Sequence, residues 1–214
     1  MSEQVFALHF SEWEPDHPGF DRYLEDTIVV DWQTPAVMDC ARTLVEGVRG
    51  GSEQIEAVFI FVRDEISQSL DVETDALPCN ASEVLQAGTG LSYAKSHLLA
   101  ALLRARGVPA GFGYQRIRDD KTASGYALHG FVVSWFSEIL RWVALDPRGN
   151  TPLLRSEFCT DWPPSLAHWP DVEEGSMVFS SVFSRPLKRV VELLDRGEKL
   201  GRVRRHLPAE IQSF

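Results

Sequence analysis

The run Gly88-Thr89-Gly90-Leu91-Ser92-Tyr93-Ala94-Lys95-Ser96-His97-Leu98-Leu99-Ala100-Ala101-Leu102-Leu103-Arg104-Ala105-Arg106-Gly107-Val108-Pro109 decides the fold. Positions 98 to 103 put apolar side chains on nearly every face of a helix, and such a helix is buried on most sides. Gly107 and Pro109 stop it, so the pattern predicts a buried central helix from Ser92 to Arg106. The glycine turn sets Ser92 at or near the helix N-terminus, where unpaired backbone N–H groups and the positive end of the dipole lie. Such a position stabilises a developing oxyanion or a thiolate. The plainest role for a serine there is to cap the helix.

Downstream, three β-type runs follow one another: Ala110 to Ile117, Leu128 to Phe136 and Ile139 to Leu145, the last ended by Pro147. A two-residue loop at Ser137-Glu138 would set His129 directly opposite Asp146 on one face of a hairpin. A carboxylate there can hydrogen-bond the imidazole and fix its tautomer. Upstream, Thr34-Pro35 has the form of an N-cap and first helical residue for a helix to about Val48. Ser52 is the expected cap of a second helix to about Ile66, with Ile55, Val58, Phe59 and Val62 inward. Val5 to Phe10 and Thr27 to Trp32 are β-rich, residues 67–81 look like a loop, and 147–186 are proline-rich and irregular. Ala81 to Leu85 suggests a helical turn, and the tail carries helices near Leu187 to Arg196 and on to His206. Helices first and consecutive strands afterwards predict an α+β fold, the buried helix packed on an antiparallel sheet. The expected organisation is one domain over 1–214 with its core at about 52–150.

Composition narrows the function. Twenty-one Lys and Arg against 31 Asp and Glu give a net charge of −10, which disfavours nucleic acid and anionic membranes as partners. The start, Met1-Ser2-Glu3-Gln4, lacks a signal peptide's basic and apolar regions, and no apolar run reaches the roughly 20 residues of a membrane span. Cys40, Cys79 and Cys159 are odd in number and widely spaced, which predicts free thiols and a cytoplasmic setting. No phosphate-binding loop, dinucleotide motif or metal-ligand cluster is visible, so no cofactor or metal is expected.

Residues 81–146 resemble the transglutaminase-like superfamily, a branch of the papain-type thiol enzymes. The resemblance rests on Ala81-Ser82-Glu83-Val84-Leu85 and Gly88 to His97, then Ala101 to Ala110, then His129-Gly130-Phe131-Val132-Val133 and Trp142-Val143-Ala144-Leu145-Asp146-Pro147. It implies a papain-like core and a Cys-His-Asp triad acting on an amide or ester, with His129 and Asp146 in the His and Asp positions. The cysteine position, counted back from Gly107, is held by Ser92. A hydroxyl is not ionised near neutrality and needs its proton removed as it attacks. Losing ~4 kcal/mol of transition-state stabilisation costs about a thousandfold in rate. Three origins fit a serine there: an introduced substitution that traps a thiol enzyme, a natural loss of catalysis that leaves a binding protein, or a natural serine acyl enzyme.

Catalytic candidates are therefore Ser92, His129 and Asp146. Gln86, six residues before Ser92, is an oxyanion candidate by likeness to papain-type enzymes, and Tyr114 and Trp142 are candidate cleft residues, with Phe112 beside them. His97 is expected to be a packed core histidine and Cys79 a free loop thiol. The expected partner is a peptide, protein or small amide or ester, and the competing reading is a catalytically silent module of the same fold.

Overall fold

Two buried cations show how tightly the central helix is enclosed. In the computed structural model, which describes residues 12–170 and 175–211, α4 spans Ser92–Ala105 and every residue but Ala105 is buried. Its apolar side chains need no partner, but Lys95 and Arg104 do, since a buried charge without hydrogen bonds costs several kcal/mol. Lys95 Nζ donates to the carbonyls of Arg63, Ile66 and Arg148. The Arg104 guanidinium donates to those of Ala110, Glu25 and Ser184. The helix thus pins chain segments far apart in sequence at both its ends.

In chain order the elements are β1 (Glu14–Pro15), a 3₁₀ turn (Phe20–Tyr23), α1 (Pro35–Leu44), α2 (Gly51–Asp64), β2 (Ser67–Gln68), α3 (Ala81–Ala87), β3 (Thr89–Gly90) and α4. Then come β4 (Ala110–Arg118), β5 (Tyr126–Phe136), β6 (Arg141–Leu145), β7 (Met177–Val178), β8 (Ser181–Val182), α5 (Lys188–Leu194) and α6 (Leu200–Arg205). The main sheet is antiparallel in the order β6-β5-β4-β7. Helix α4 packs on the sheet and α1, α2 and α3 pack on α4, and Leu98, Leu102, Phe112, Leu128, Val132 and Phe136 join the principal core. A smaller, separate cluster including Trp13, Tyr23, Phe131, Val133, Ala144 and Leu166 forms a second core. Strand β5 is buried almost throughout, as an apolar run without alternation requires. This is the expected α+β architecture.

Several expectations are corrected. Thr34 precedes α1 but makes no capping bond, and its buried Oγ1 has no partner; the helix also stops four residues short of Val48. Ser52 does not cap α2, because Glu138, from the β5–β6 loop, accepts from the N–H of Gly51 at 2.9 Å and from Ser52 Oγ at 2.5 Å. An anion at a helix N-terminus serves as well as a local cap and fastens the loop to the helix. Residues 27–32 form bends rather than a strand: Thr27 Oγ1 takes the Val30 N–H, and the Val29 carbonyl is taken by Ala81. The Val5 to Phe10 run lies outside the described residues. No helix among the described residues is long and apolar enough to cross a membrane.

The hairpin is also corrected. Pairing runs from Phe136↔Arg141 to Val132↔Leu145, so the loop is residues 137–140 and the register is displaced by two. Continued past its end, that register puts Asp146 opposite Phe131 and makes His129 its diagonal neighbour. A slip of two preserves the face, whereas a slip of one would have separated the pair.

Candidate active site

The site is best built from its carboxylate. Asp146 follows the last residue of β6 and is fully buried. Its Oδ2 accepts from His129 Nε2 at 2.9 Å and from the Ala167 N–H at 2.8 Å, and its Oδ1 accepts from the Arg148 N–H at 3.1 Å. Burial pushes this carboxyl upward, but the His129 imidazole and the two backbone N–H groups outweigh it and hold the pKa below the usual aspartate value. An ionised carboxylate only accepts, so Nε2 of His129 carries the proton. In the neutral ring the lone pair is then on Nδ1, which has no hydrogen-bond partner among the described residues.

Ser92 is the first residue of α4. The residue in the capping position is Leu91, which makes no side-chain bond, and the first hydrogen bond within the helix runs from Lys95 N to Leu91 O. The N–H groups of Ser92, Tyr93 and Ala94 therefore have no partner in the helix. The Ser92 hydroxyl caps nothing: it makes no hydrogen bond among the described residues.

Tyr93 holds this helix start against His129. Its hydroxyl donates to the carbonyl of Leu128, the residue before His129. On the other side, a Cβ added to Gly130 would stand 2.9 Å from Tyr93 Cδ1 and 3.5 Å from Tyr93 Cα. Only a residue without a side chain lets β5 come this close. The glycine after His129 therefore sets the distance between strand and helix head. Ser92 and His129 open on one cavity of about 270 Å³.

That cavity contains residues that sequence reasoning missed. His168 also faces it, its ring edge-to-face with His129 at a centroid distance of 4.9 Å. Burial, with the neighbouring His129, drives the His168 pKa down to about 3, so its imidazole is neutral. Its carbonyl is fixed by Gln115 Nε2 at 2.7 Å, and its neighbour Ala167 supplies a bond to Asp146. Gln68, on β2, is buried and lines the same cavity. The Arg148 guanidinium there is held by Asp71 through two 2.8 Å bonds. Neither Gln68 nor His168 carries a local signal, since each lies in a stretch without periodicity.

Other candidates lie elsewhere. Gln86 is exposed on α3 and does not line the cavity. Tyr114 is a core residue, packed near Tyr93 and Phe183, and its hydroxyl accepts from the Leu187 N–H. Phe112 is likewise core. Trp142 borders a separate hollow of about 330 Å³ with Trp13, Trp135 and Trp162, which contains no imidazole–carboxylate pair. His97 is buried, as expected, with Nδ1 on the Cys79 carbonyl at 2.8 Å, and burial lowers its pKa to about 4. Cys79 is a free thiol in the loop before α3, as expected, but it is buried, and desolvation raises its thiol pKa. Among the described residues, no group of three or more His, Cys, Asp or Glu is arranged to hold a metal.

A buried helix whose head meets an antiparallel sheet is the α+β architecture of transglutaminase-like folds. The family model of the transglutaminase-like superfamily matches residues 39–147, half of the chain, and the chain belongs to that superfamily. Solved structures similar to it include a candidate cysteine protease from Cytophaga hutchinsonii, 15% identical over 62% of this chain and 43% of that one, with a TM-score of 0.49. The periplasmic domain of TgpA from Pseudomonas aeruginosa is 21% identical over 60% of this chain and 46% of that one, with a TM-score of 0.44. A candidate protease from Parabacteroides distasonis is 16% identical over 59% and 25%, with a TM-score of 0.40. The chain spans less than half the length of each. No curated protein matches.

Proposed function

We propose that this site transfers or hydrolyses the acyl group of an amide or ester, with Ser92 in the nucleophile position, His129 as base and then acid, and Asp146 orienting the imidazole. The observation that carries the reading is the His129–Asp146 bond at 2.9 Å, which leaves the lone pair on Nδ1 in the cavity that Ser92 also lines. In the reaction, Nδ1 takes the proton of the group at position 92 as that group attacks the carbonyl carbon. The oxyanion forms against the uncommitted N–H groups at the head of α4. Collapse breaks the bond to the leaving amine or alcohol, which departs with the proton from Nδ1. Water or a second amine then accepts the acyl group by the reverse proton movements. The residues complete this cycle without a metal or cofactor. The partner it implies is a peptide, protein or small amide or ester.

A hydroxyl at position 92 weakens or blocks this cycle. The positive helix end that lowers a thiol's pKa into the working range leaves an alcohol un-ionised. A serine there also favours a second reading, a cleft that binds acyl compounds without turning them over. Comparison of the chain with its Ser92→Cys variant separates the readings. Acyl transfer predicts one rapidly alkylated thiol at position 92 with iodoacetamide, together with new activity on amide and ester panels, both lost in Ser92→Cys/His129→Ala. A slow thiol and no turnover would leave only the binding reading. Labelling of the unmodified chain by a fluorophosphonate, abolished by Ser92→Ala, would make the serine itself the nucleophile.

A further inference from the structure

We infer that this site takes substrates whose acyl group is neutral and apolar, and that Leu154 and Leu207 select that group. The assignment rests on the acyl-transfer reading above and names a substrate class for it. Its first ground is what surrounds the nucleophile position. Leu70, Leu91, Ile117, Leu154 and Leu207 line the cavity on which Ser92 and His129 open. Two backbone bonds set this lining around the reacting groups. Ser69 N donates to Gly90 O at 3.1 Å, which holds the residue before Leu70 against the residue before Leu91. Leu128 N donates to the Pro208 carbonyl at 2.6 Å, which places Leu207-Pro208 beside the residue that precedes His129. Ile117 and Leu154 are half-buried yet belong to neither apolar core. Apolar area that faces a cavity is still open to burial, and an apolar group entering there removes both surfaces from water.

The second ground is charge. A charged acyl group would need an uncommitted partner of opposite sign, because a charge taken out of water without one is costly. Arg148 is held by Asp71 through two 2.8 Å bonds, and Arg204 by Asp119 at 3.0 Å. On the exposed side Arg118 is held by Asp120 at 3.1 Å. Burial keeps the His168 imidazole neutral. Among the described residues, no charged side chain that lines the cavity lacks its counter-charge. Size agrees with a modest acyl chain. The cavity measures about 270 Å³, and an apolar cavity of about 150 Å³ already holds a benzene ring. The acyl group, unlike the leaving group, stays bonded at position 92 through both half-reactions, so a wall around that position acts on it throughout.

The third ground is where the wall comes from. Leu154 and Leu207 both lie outside residues 39–147, the stretch matched to the superfamily. Each stands on backbone that is held in place. Thr151 N donates to Leu154 O at 2.8 Å, and Leu154 N donates to Thr151 Oγ1 at 3.1 Å. The segment that carries Leu207 is fastened before it by Ala123 N on Arg205 O at 3.0 Å, and after it by the Arg116–Glu210 pair. Leu207 is therefore a fixed wall. The choice of acyl group sits on segments that this chain adds to the matched core, and the triad itself does not make it.

The test uses the full chain carrying Ser92→Cys, with p-nitrophenyl acetate, butyrate and hexanoate as acyl donors. The readout is the rate of the p-nitrophenolate burst, each divided by the rate of the same ester with free cysteine. A fully buried methylene is worth about fourfold, so the corrected rate should rise about 10–100-fold from acetate to hexanoate. p-Nitrophenyl benzoate should acylate at least about tenfold faster than its 4-guanidino and 4-carboxy derivatives. Adding Leu207→Asp puts a carboxylate on the wall and should bring the hexanoate-to-acetate ratio to within about threefold of one. Leu154→Asp, at a position that belongs to neither core, should do the same and decides the matter where Leu207→Asp folds poorly. A flat ratio in a Ser92→Cys protein whose burst is lost in His129→Ala overturns the inference and leaves acyl transfer standing. Faster acylation by either charged benzoate, or a ratio that survives in every folded wall variant, overturns it as well. No burst in the Ser92→Cys protein, or one indifferent to His129→Ala, removes the acyl-transfer reading and this inference with it.

Discussion

Replacing Asp146 by Asn tests the geometry most directly, because the two groups differ by one atom and the structure shows what that atom does. Asp146 accepts from three donors, two on Oδ2 and one on Oδ1. Asn has one oxygen. If that oxygen stays with Arg148 N–H, the new NH₂ faces Ala167 N–H and His129, and a buried backbone donor is orphaned. If it turns to Ala167 and His129, the NH₂ opposes Arg148 N–H instead. Either orientation leaves one buried N–H unsatisfied, at about 1–3 kcal/mol, and loses a charge-assisted bond. Relief from burying a carboxylate offsets part of this, so the expected loss of stability is about 2–4 kcal/mol by urea titration. Function should suffer more. In the first orientation Nε2 of His129 must accept, its proton moves to Nδ1, and the base is lost; turnover in the Ser92→Cys protein should fall roughly 10³–10⁴-fold, as for the same exchange in serine protease triads. The acid dependence has a definite sign. The folded carboxyl titrates below its ordinary value of 3.8, so its stabilisation is complete above that pH and disappears as pH falls through the folded value. The stability gap between the two proteins should be level near neutrality and narrow below about pH 4. A variant within about 0.5 kcal/mol of its parent, with thiol reactivity and turnover intact in the Ser92→Cys protein, would refute the reasoning.

Two further outcomes are expected. Burial draws the Lys95 ammonium from its ordinary 10.5 to about 7, so the unfolded chain keeps a proton that the folded chain gives up between those values. Stability should therefore rise with pH across that window by up to about 1.4 kcal/mol per pH unit relative to Lys95→Met; a constant difference in urea titrations at near-neutral and alkaline pH would show that the three carbonyls keep the ammonium charged. Gly130→Ala places a methyl 2.9 Å from Tyr93 Cδ1, and should cost about 1–3 kcal/mol in thermal melts. In the Ser92→Cys protein it should also slow alkylation of the position-92 thiol, whereas an unchanged rate would separate the Tyr93–Gly130 contact from the site.

What could be read from the sequence was what has a period or a stop. The α4 helix announced itself because six consecutive apolar residues leave no solvent face, and Gly107 ended it. The strands β4 to β6 were legible for the same reason, and their parity was enough to put His129 and Asp146 on one face even though the loop was misjudged. The loop could not be read locally, because Glu138 is held by the N-terminus of α2, 87 positions away. Ser52 failed as a cap for the same reason: a remote carboxylate took its place. Gln68 and His168 sit in stretches placed by partners remote in sequence, β3 in one case and Gln115 and Asp146 in the other. Gln86 was favoured by its distance along the chain from Ser92, but α3 turns it outward.

The irregular segment after β6 therefore contributes more to the site than its lack of secondary structure suggests. Ser156 Oγ donates to the Asp146 carbonyl at 2.7 Å, and its own N–H is taken by Asn150. Ala167 N–H holds the Asp146 carboxylate, and the His168 carbonyl is anchored to β4 through Gln115. Apart from the Ser156–Asn150 bond, each runs from a non-repeating segment to a group that the sheet or its end has already fixed. Lys95 does the same from the opposite side, tying the Arg148 carbonyl to α4 one turn below Ser92. The carboxylate is thus gripped from the helix side and from the loop side at once. A shift of either wall would move Asp146, and with it the ring of His129, which is why the polar bonds in this segment bear on reactivity as much as on stability.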